Sequence, residues 1–316
     1  MNSGRGAISA PLYDTPRAVS TGPNWAYLRI AEGCDNRCAY CVIPSLRGKF
    51  RSRTKESILE EARLLAASGV KELIIVAQDI TRYGIDLYGK VCLTELLKEL
   101  CKLDFRWVRL HYLYPELIDD ELIDEIASED KIVKYLDIPI QHINDTILRR
   151  MNRRGTGEEI RALFKKLRER IPGLVLRTSL ITGLPGEGEA EFEELCDFLR
   201  EAKIERAGVF PYSPEEGTPA ALMPDRCSTE EARRRAELCM EIQAEIMDGF
   251  AETFIGRELD VLVMGREPDG TPWGRSEYDS PDIDSRVIFS GDAAPGDMVR
   301  VRIDSVDDGE LIGEQI

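Results

Sequence analysis

The first two-thirds of the chain alternate between two hydrophobic periods. Short apolar runs at Ala26–Ala31, Lys71–Ala77, Trp107–His111, Val133–Ile138, Leu174–Leu180 and Arg206–Phe210 have the length of buried strands. Between them, Thr54–Ser68, Leu93–Leu103, Pro115–Ser128, Asn144–Met151 with Gly157–Arg170, and Glu189–Ala202 space their apolar residues three and four apart, as amphipathic helices do. Thr54 is placed as an N-cap and Gly69 as a stop. Repeated strand–helix units imply parallel strands joined by right-handed crossovers. The predicted fold class is therefore α/β, a partial (β/α)6 barrel, with its chemistry at the C-terminal ends of the strands.

A long helix is predicted over Thr229–Thr253, after which the texture changes. Short strands at Leu259–Met264, Arg286–Ser290, Met298–Ser305 and Glu310–Ile316 are separated by turns rich in Gly, Pro and Asp, which predicts a small all-β barrel. The domain boundary falls near Ala251, giving domains of 25–250 and 251–316, and the aperiodic segment 1–24 reads as a linker.

A chain of 316 residues with 43% hydrophobic composition can bury such a core. No run of about 18 apolar residues is present and the N-terminus lacks a charged-then-apolar signal, so no membrane partner is expected. Eight cysteines without a regular framework point to a reducing, cytoplasmic setting. The net charge of −16 is unevenly placed: from Glu252 onward there are sixteen Asp/Glu against six Arg and no Lys. Such a barrel repels phosphate backbones and suits a basic protein partner, the alternative being that the charge serves solubility alone.

Three cysteines are clustered at Cys34, Cys38 and Cys41, directly after the first strand. Thiolates are soft ligands for zinc or an iron–sulfur centre. Structural zinc takes four ligands, and the two histidines, His111 and His142, are distant in sequence. A cubane cluster takes one ligand per iron, so three cysteines leave one iron open. The remaining Cys92, Cys101, Cys196, Cys227 and Cys239 sit on helix-like apolar patterns and read as buried small hydrophobes.

Together with Tyr40 before the third cysteine, this loop after the first strand of a six-unit partial barrel resembles the radical S-adenosylmethionine (SAM) superfamily. Further segments are similar to its methylthiotransferases: Ala31–Cys34, Cys41–Pro44, Arg47–Arg53, Ala77–Thr81 with Tyr83-Gly84, Asp137–His142, Ser179–Glu187, and Phe210–Ser213 with Glu216–Thr218. The terminal barrel resembles that family's TRAM (OB-like) domain, and the resemblance spans residues 25–316.

The resemblance implies a [4Fe-4S] cluster on Cys34, Cys38 and Cys41, SAM held on the open iron by its amino and carboxylate groups, and reductive cleavage of SAM followed by sulfur insertion and methyl transfer. No catalytic residue beyond the cluster ligands is assigned. SAM contacts are expected from Tyr40 on the adenine side, Gln78 and Asp79 near the methionine amino end, Thr81 beside them at the end of the second strand, and Gln141 at the ribose. Arg177 and Ser179 share one face of the fifth strand; an inward Arg needs a partner, and the SAM carboxylate would be one. Gly183 would let the backbone approach the adenine. His142 would face the substrate or simply pack. The basic runs Arg47–Arg53 and Arg149–Arg154 read as solvated faces, the first alternatively as a docking surface.

Family members also carry an N-terminal domain holding a second [4Fe-4S] cluster associated with sulfur donation. None is encoded in these 316 residues, so a truncated chain limited to SAM cleavage is expected. Of two branches, the acidic barrel favours the one modifying an aspartate of a basic small-subunit ribosomal protein over the one modifying a transfer RNA adenosine. Direct RNA binding by the barrel is not expected. A flavodoxin or ferredoxin is the expected reductant. The reading from another class is a non-catalytic protein-binding scaffold stabilised by a structural metal.

Overall fold

Alternation along the six apolar runs decides how the chain folds. The computed structural model describes residues 19–22 and 24–316; the remainder of the 1–24 linker segment lies outside the described residues. Strands β1 (Trp25–Arg29), β2 (Ala31–Glu32), β3 (Arg51–Ser52), β4 (Glu72–Val76), β5 (Trp107–Leu110), β6 (Ile132–Asp137), β7 (Val175–Thr182) and β8 (Arg206–Pro211) follow in chain order. β1, β4, β5, β6, β7 and β8 form one sheet in that order with every neighbouring pair parallel, while β2 and β3 make a short antiparallel clip.

Successive side chains on a strand point to opposite faces. One face of the sheet presents Leu28, Leu73, Ile75, Val108, Leu110, Leu136, Leu176 and Leu180 to the surrounding helices, forming the main core. The alternate positions, facing the inside of the partial barrel, are unusually polar: Glu72, Arg109, Tyr135, Asp137, Arg177 and Arg206.

Local chemistry sets the helix ends. Thr54 caps Lys55–Ala67 by accepting from the Ser57 amide at 3.3 Å, and Gly69 leaves that helix at φ 91°. The predicted helical stretch from Asn144 is two helices, Asp145–Arg150 and Gly157–Arg170, the second started by a capping box between Thr156 and Glu159. The segment predicted helical from Pro115 begins as a 3-10 turn, Pro115–Leu117, and the α-helix starts only at Asp120, where Asp119 caps it. Four of the five cysteines outside the cluster motif are buried; Cys227 is only partly so.

The helix Thr229–Glu252 leads to a closed barrel of β9 (Glu258–Arg266), β10 (Pro272–Ser276), β11 (Val287–Ser290), β12 (Met298–Asp307) and β13 (Glu310–Gln315), in the order β10-β11-β13-β12-β9. Only four of these strands are predicted from the pattern. β10 (Pro-Trp-Gly-Arg-Ser) hides because proline, glycine and a buried arginine replace the expected alternation. Gly274 is there for close approach: a Cβ would lie 2.4 Å from the Leu262 carbonyl oxygen of β9.

The turn after β10 enters the partial barrel from below. Glu72, fully buried, receives the guanidinium groups of Arg109 (2.6 Å) and of Arg275 from the small barrel. Arg109 also donates to the Glu277 carbonyl at 3.1 Å, Arg206 pairs with Asp279 at 2.7 Å, and the Tyr135 hydroxyl donates to Asp284 at 2.7 Å. Leu262 completes an apolar patch with Trp107, Val133, Tyr135 and Val175. The lower interior of the partial barrel is thus filled by residues of the second domain.

His111 sits above this layer, buried, with Nε2 3.1 Å from the Ser280 hydroxyl and its ring stacked on Tyr135. Burial, then the fields of Arg109 and Arg177, push it from 6.5 to about 3; Arg275 acts in the same direction and Glu72 opposes it. A histidine neutral in the fold and protonated when unfolded makes stability rise with pH. The contribution is complete above pH 6.5 and is lost as pH falls toward 3. It amounts to about 2 kcal/mol between pH 6.5 and about pH 5. Urea midpoints measured across that range should fall less steeply for His111→Gln than for the parent chain; parallel slopes would refute this.

Candidate functional site

Residues 34–41 form a loop at the C-terminal end of β1, pinned from several sides. The Cys34 amide donates to the Gly48 carbonyl at 3.2 Å, and the Phe50 amide to Asp35 at 3.1 Å. Asn36 donates to Asp79 at 3.0 Å, Asn152 donates to the Arg37 carbonyl at 2.7 Å, and the Ala39 amide donates to the Met151 carbonyl at 2.8 Å. Gly33, at φ 80°, starts the loop against the backbone of Gly48 and Lys49.

All three cysteines are free thiols and line one cavity of about 380 Å³. Its other walls are Asn36, Tyr40, Ile43, Ala77, Gln78, Tyr112, Leu113, Tyr114, Pro139, Gln141, Arg153 and Ser179, drawn from the cysteine loop, the ends of β4, β5 and β6, β7 itself and the segment after Asp145–Arg150. A larger groove of about 680 Å³ runs between the Glu189–Ala202 and Thr229–Glu252 helices. It lies away from the strand ends where chemistry sits in such folds, and none of the predicted contacts lines it.

Burial pushes the Cys34 thiol up to about 11, and raises Cys41 as well. Among the described residues no three His, Cys, Asp or Glu side chains gather about a point as ligands of a single metal ion do. Three thiols on the wall of one cavity are the soft donor set of an iron–sulfur centre, in which each sulfur reaches a different iron.

The predicted SAM contacts divide into two groups. Tyr40, Gln78, Gln141 and Ser179 line the cavity with the cysteines. Gln78 Oε1 is buried without a hydrogen-bond partner, so an acceptor is held ready there. Gln141 takes φ 71°, its amide donating to the Ser179 carbonyl and its carbonyl accepting from Ile181, which ties the end of β6 to β7.

Asp79, Thr81, Arg177 and Gly183 are placed elsewhere. Asp79 is fully buried and caps the Ile80–Arg82 turn, accepting from the amide and hydroxyl of Thr81 as well as from Asn36; Thr81 is spent on that cap. Arg177 does point inward, but its carboxylate is Asp137 at 2.8 Å, one strand away. Gly183 serves packing: a Cβ would lie 2.4 Å from Ala232 of the long helix. His142 is buried, its Nδ1 accepting from the Asn144 amide at 3.0 Å and its Nε2 lying 3.4 Å from Glu187.

Sequence reading missed Asn36, Tyr112, Tyr114 and Arg153 as wall residues. Tyr112 and Tyr114 follow β5 as Gln78 follows β4, so the strand-end rule would have found them. Tyr112 holds φ 63° although it is not glycine, and such conformations concentrate at functional sites. Arg153 belongs to the run read as a solvated face, yet it is buried; Arg149 and Arg154 of the same run are exposed. In the first run Arg53 is likewise buried, paired with Glu61 at 2.6 Å, while Arg47, Lys49 and Arg51 are exposed.

Residues 28–199 match the Radical SAM superfamily and residues 255–316 the TRAM domain. The chain is 49% identical over 302 residues to the ribosomal protein uS12 methylthiotransferase RimO of Caldanaerobacter subterraneus subsp. tengcongensis, covering 95% of this chain and 69% of that protein. It is 52% identical over 306 residues to the RimO of Pelotomaculum thermopropionicum, with the same coverage. Among solved structures, coproporphyrinogen III oxidase (HemN) from Escherichia coli superposes with a TM-score of 0.54 at 20% identity, covering 72% of this chain and 54% of HemN. The radical SAM methyltransferase TsrM of Kitasatospora setae gives 0.52 at 20% identity, covering 62% and 38%. These two share the fold alone. With half its residues shared across nearly its whole length, the chain belongs to the RimO family of methylthiotransferases within the radical SAM superfamily, a family whose chemistry uses a [4Fe-4S] cluster and SAM.

Proposed function

We propose that the chain is the SAM-cleaving and TRAM part of a methylthiotransferase acting on ribosomal protein uS12, with an aspartate side chain as acceptor, and that Cys34, Cys38 and Cys41 hold its [4Fe-4S] cluster. The observation that carries this is the single cavity shared by the three free thiols and the unpartnered Gln78 carbonyl oxygen. Cys34, Cys38 and Cys41 would hold the cluster, which when bound would supply the electron for reductive cleavage of SAM. The chain's own residues position and shield. Gln78 Oε1 offers an acceptor to the SAM ammonium, Gln141 and Ser179 offer hydrogen bonds to its polar edge, and Tyr40 packs along it. Ile43, Ala77, Leu113 and Pro139 give the cavity apolar walls that keep water from a reactive species.

The acidic barrel supports a basic protein as substrate. Five of its six arginines are held by carboxylates: Arg266 by Asp292, Arg275 by Glu72, Arg286 by Glu267 and Glu310, Arg300 by Glu258 and Asp260, and Arg302 by Asp304 and Glu314. That leaves little free positive charge for phosphates, whereas Asp269, Asp282, Asp307 and Asp308 are exposed. No helix among the described residues is long and apolar enough to cross a membrane. The proposal places the reaction at ribosomes in the cytoplasm, with a flavodoxin or ferredoxin as electron donor. It assigns the sulfur-donating second cluster to sequence outside these 316 residues.

Anaerobic reconstitution with iron and sulfide should give a brown protein that forms 5′-deoxyadenosine from SAM with dithionite. Cys38→Ala should lose both the visible absorption and deoxyadenosine. A colourless, zinc-filled and inactive parent chain would refute the enzyme reading in favour of a metal-stabilised scaffold. For the substrate, a methylthio mass gain on transfer RNA but not on uS12, using protein that includes the family's N-terminal region, would overturn the branch.

A further inference from the structure

Arg153 is a buried cation for which no carboxylate lies within ion-pair distance among the described residues. Its Nη2 donates to the Pro139 carbonyl at 2.6 Å, its guanidinium stacks 4.2 Å from the Tyr114 ring centroid, and its Nη1 reaches Cys38 Sγ at 3.9 Å. The Tyr114 hydroxyl lies 3.5 Å from the same sulfur. Two polar groups from different parts of the chain therefore converge on one of the three thiols, and one of them carries a fixed charge. Burying an unpaired guanidinium is costly, so its place beside the cavity calls for negative charge there.

We infer that Arg153 and Tyr114 set the reduction potential of the cluster by donating to Cys38, acting as positioning and tuning residues rather than catalytic ones. The inference rests on the reading that Cys38 is a cluster ligand. One-electron reduction of a [4Fe-4S] centre from the 2+ to the 1+ state adds one negative charge without forming or breaking a covalent bond. A fixed cation and a hydrogen-bond donor at a ligand sulfur stabilise the reduced form more than the oxidised form and raise the potential. Sulfur as an acceptor suits this role, because its ligand charge grows on reduction while its donors stay in place.

The test is a dithionite titration of the reconstituted 316-residue chain under anaerobic conditions, followed by electron paramagnetic resonance, with iron per chain measured in each variant. Arg153→Gln should make the cluster about tenfold harder to reduce, a fall of about 59 mV for a one-electron couple. Tyr114→Phe, which keeps the ring under the guanidinium and removes only the hydroxyl, should shift the potential in the same direction by less. Arg153→Lys, which retains charge, should lie between Arg153→Gln and the parent. Equal midpoint potentials in the parent, Arg153→Gln and Tyr114→Phe at equal iron content would overturn the inference. If Arg153→Gln holds no cluster, an unshifted Tyr114→Phe overturns it and a lowered Tyr114→Phe supports it. A parent chain that gives no cluster signal refutes instead the assignment of the cysteines.

Discussion

Replacing Glu72 with leucine should destabilise the chain by about 3–5 kcal/mol, the cost of stripping one partner from a buried ion cluster. Glu72 and Arg109 are fully buried and Arg275 nearly so, and the carboxylate is shared between the two guanidinium groups. Burial alone would raise the Glu72 carboxyl, but Arg275 and Arg109 overcome it and hold the group below its usual value of 4.5. A depressed carboxylate contributes stability that is present above pH 4.5 and is lost as pH falls through the folded value. Without it two cations remain in the barrel interior, Arg109 over the Tyr135 ring and Arg275 near Trp25. Because Arg275 comes from the TRAM barrel, the loss should also loosen the contact between the domains. The check is chemical denaturation at neutral pH. The triple variant Glu72→Leu, Arg109→Met, Arg275→Met should recover most of the loss, since an apolar replacement leaves no orphaned charge. A single-variant loss below about 1 kcal/mol, the scale of an exposed pair, would show that water reaches the cluster.

Gly33→Ala should abolish cluster assembly while leaving most of the fold intact. The residue lies at φ 80°, and a Cβ would stand 2.2 Å from the Lys49 carbonyl oxygen and 2.7 Å from that of Gly48. Both are backbone atoms, and the Gly48 carbonyl is already tied to the Cys34 amide. A side chain therefore has to push the loop aside just where Cys34 begins it, in addition to the roughly 1–2 kcal/mol of a left-handed non-glycine residue. Gly69→Ala is the control: it has φ 91° and open space at the Cβ position, so it carries the conformational cost without the clash. Iron per chain should fall to background for Gly33→Ala and stay at the parent value for Gly69→Ala, with similar circular dichroism in both. Full iron loading of Gly33→Ala would mean that the loop adapts and that the cysteines are not held by this turn.

Both expectations depend on contacts that differ in how far they reach along the chain. The six parallel strands were legible because strand period and helix period are properties of consecutive residues, and Leu73, Ile75, Val108 and Leu110 follow them. β10 escaped because Pro272, Gly274 and Arg275 satisfy the needs of neighbouring elements rather than of their own strand. The cysteine loop was legible for the same reason as the strands: the spacing of its three thiols is written within eight residues. Arg177 shows the opposite case. That it faces inward follows from alternation, but that its carboxylate is Asp137, and not a ligand, follows from the pairing of β6 with β7.

The sequence by itself determined the strand–helix alternation, the cysteine triad at the first strand end and the acidic bias of the terminal barrel, since each is carried by residue types at short spacing. The tertiary structure alone decided which inward polar groups face the cavity and which are consumed elsewhere. Arg153 meets Cys38 across 115 residues and Arg275 meets Glu72 across 203. A buried polar group must find its partner wherever folding brings one, and that partner has no signature in the residues beside it.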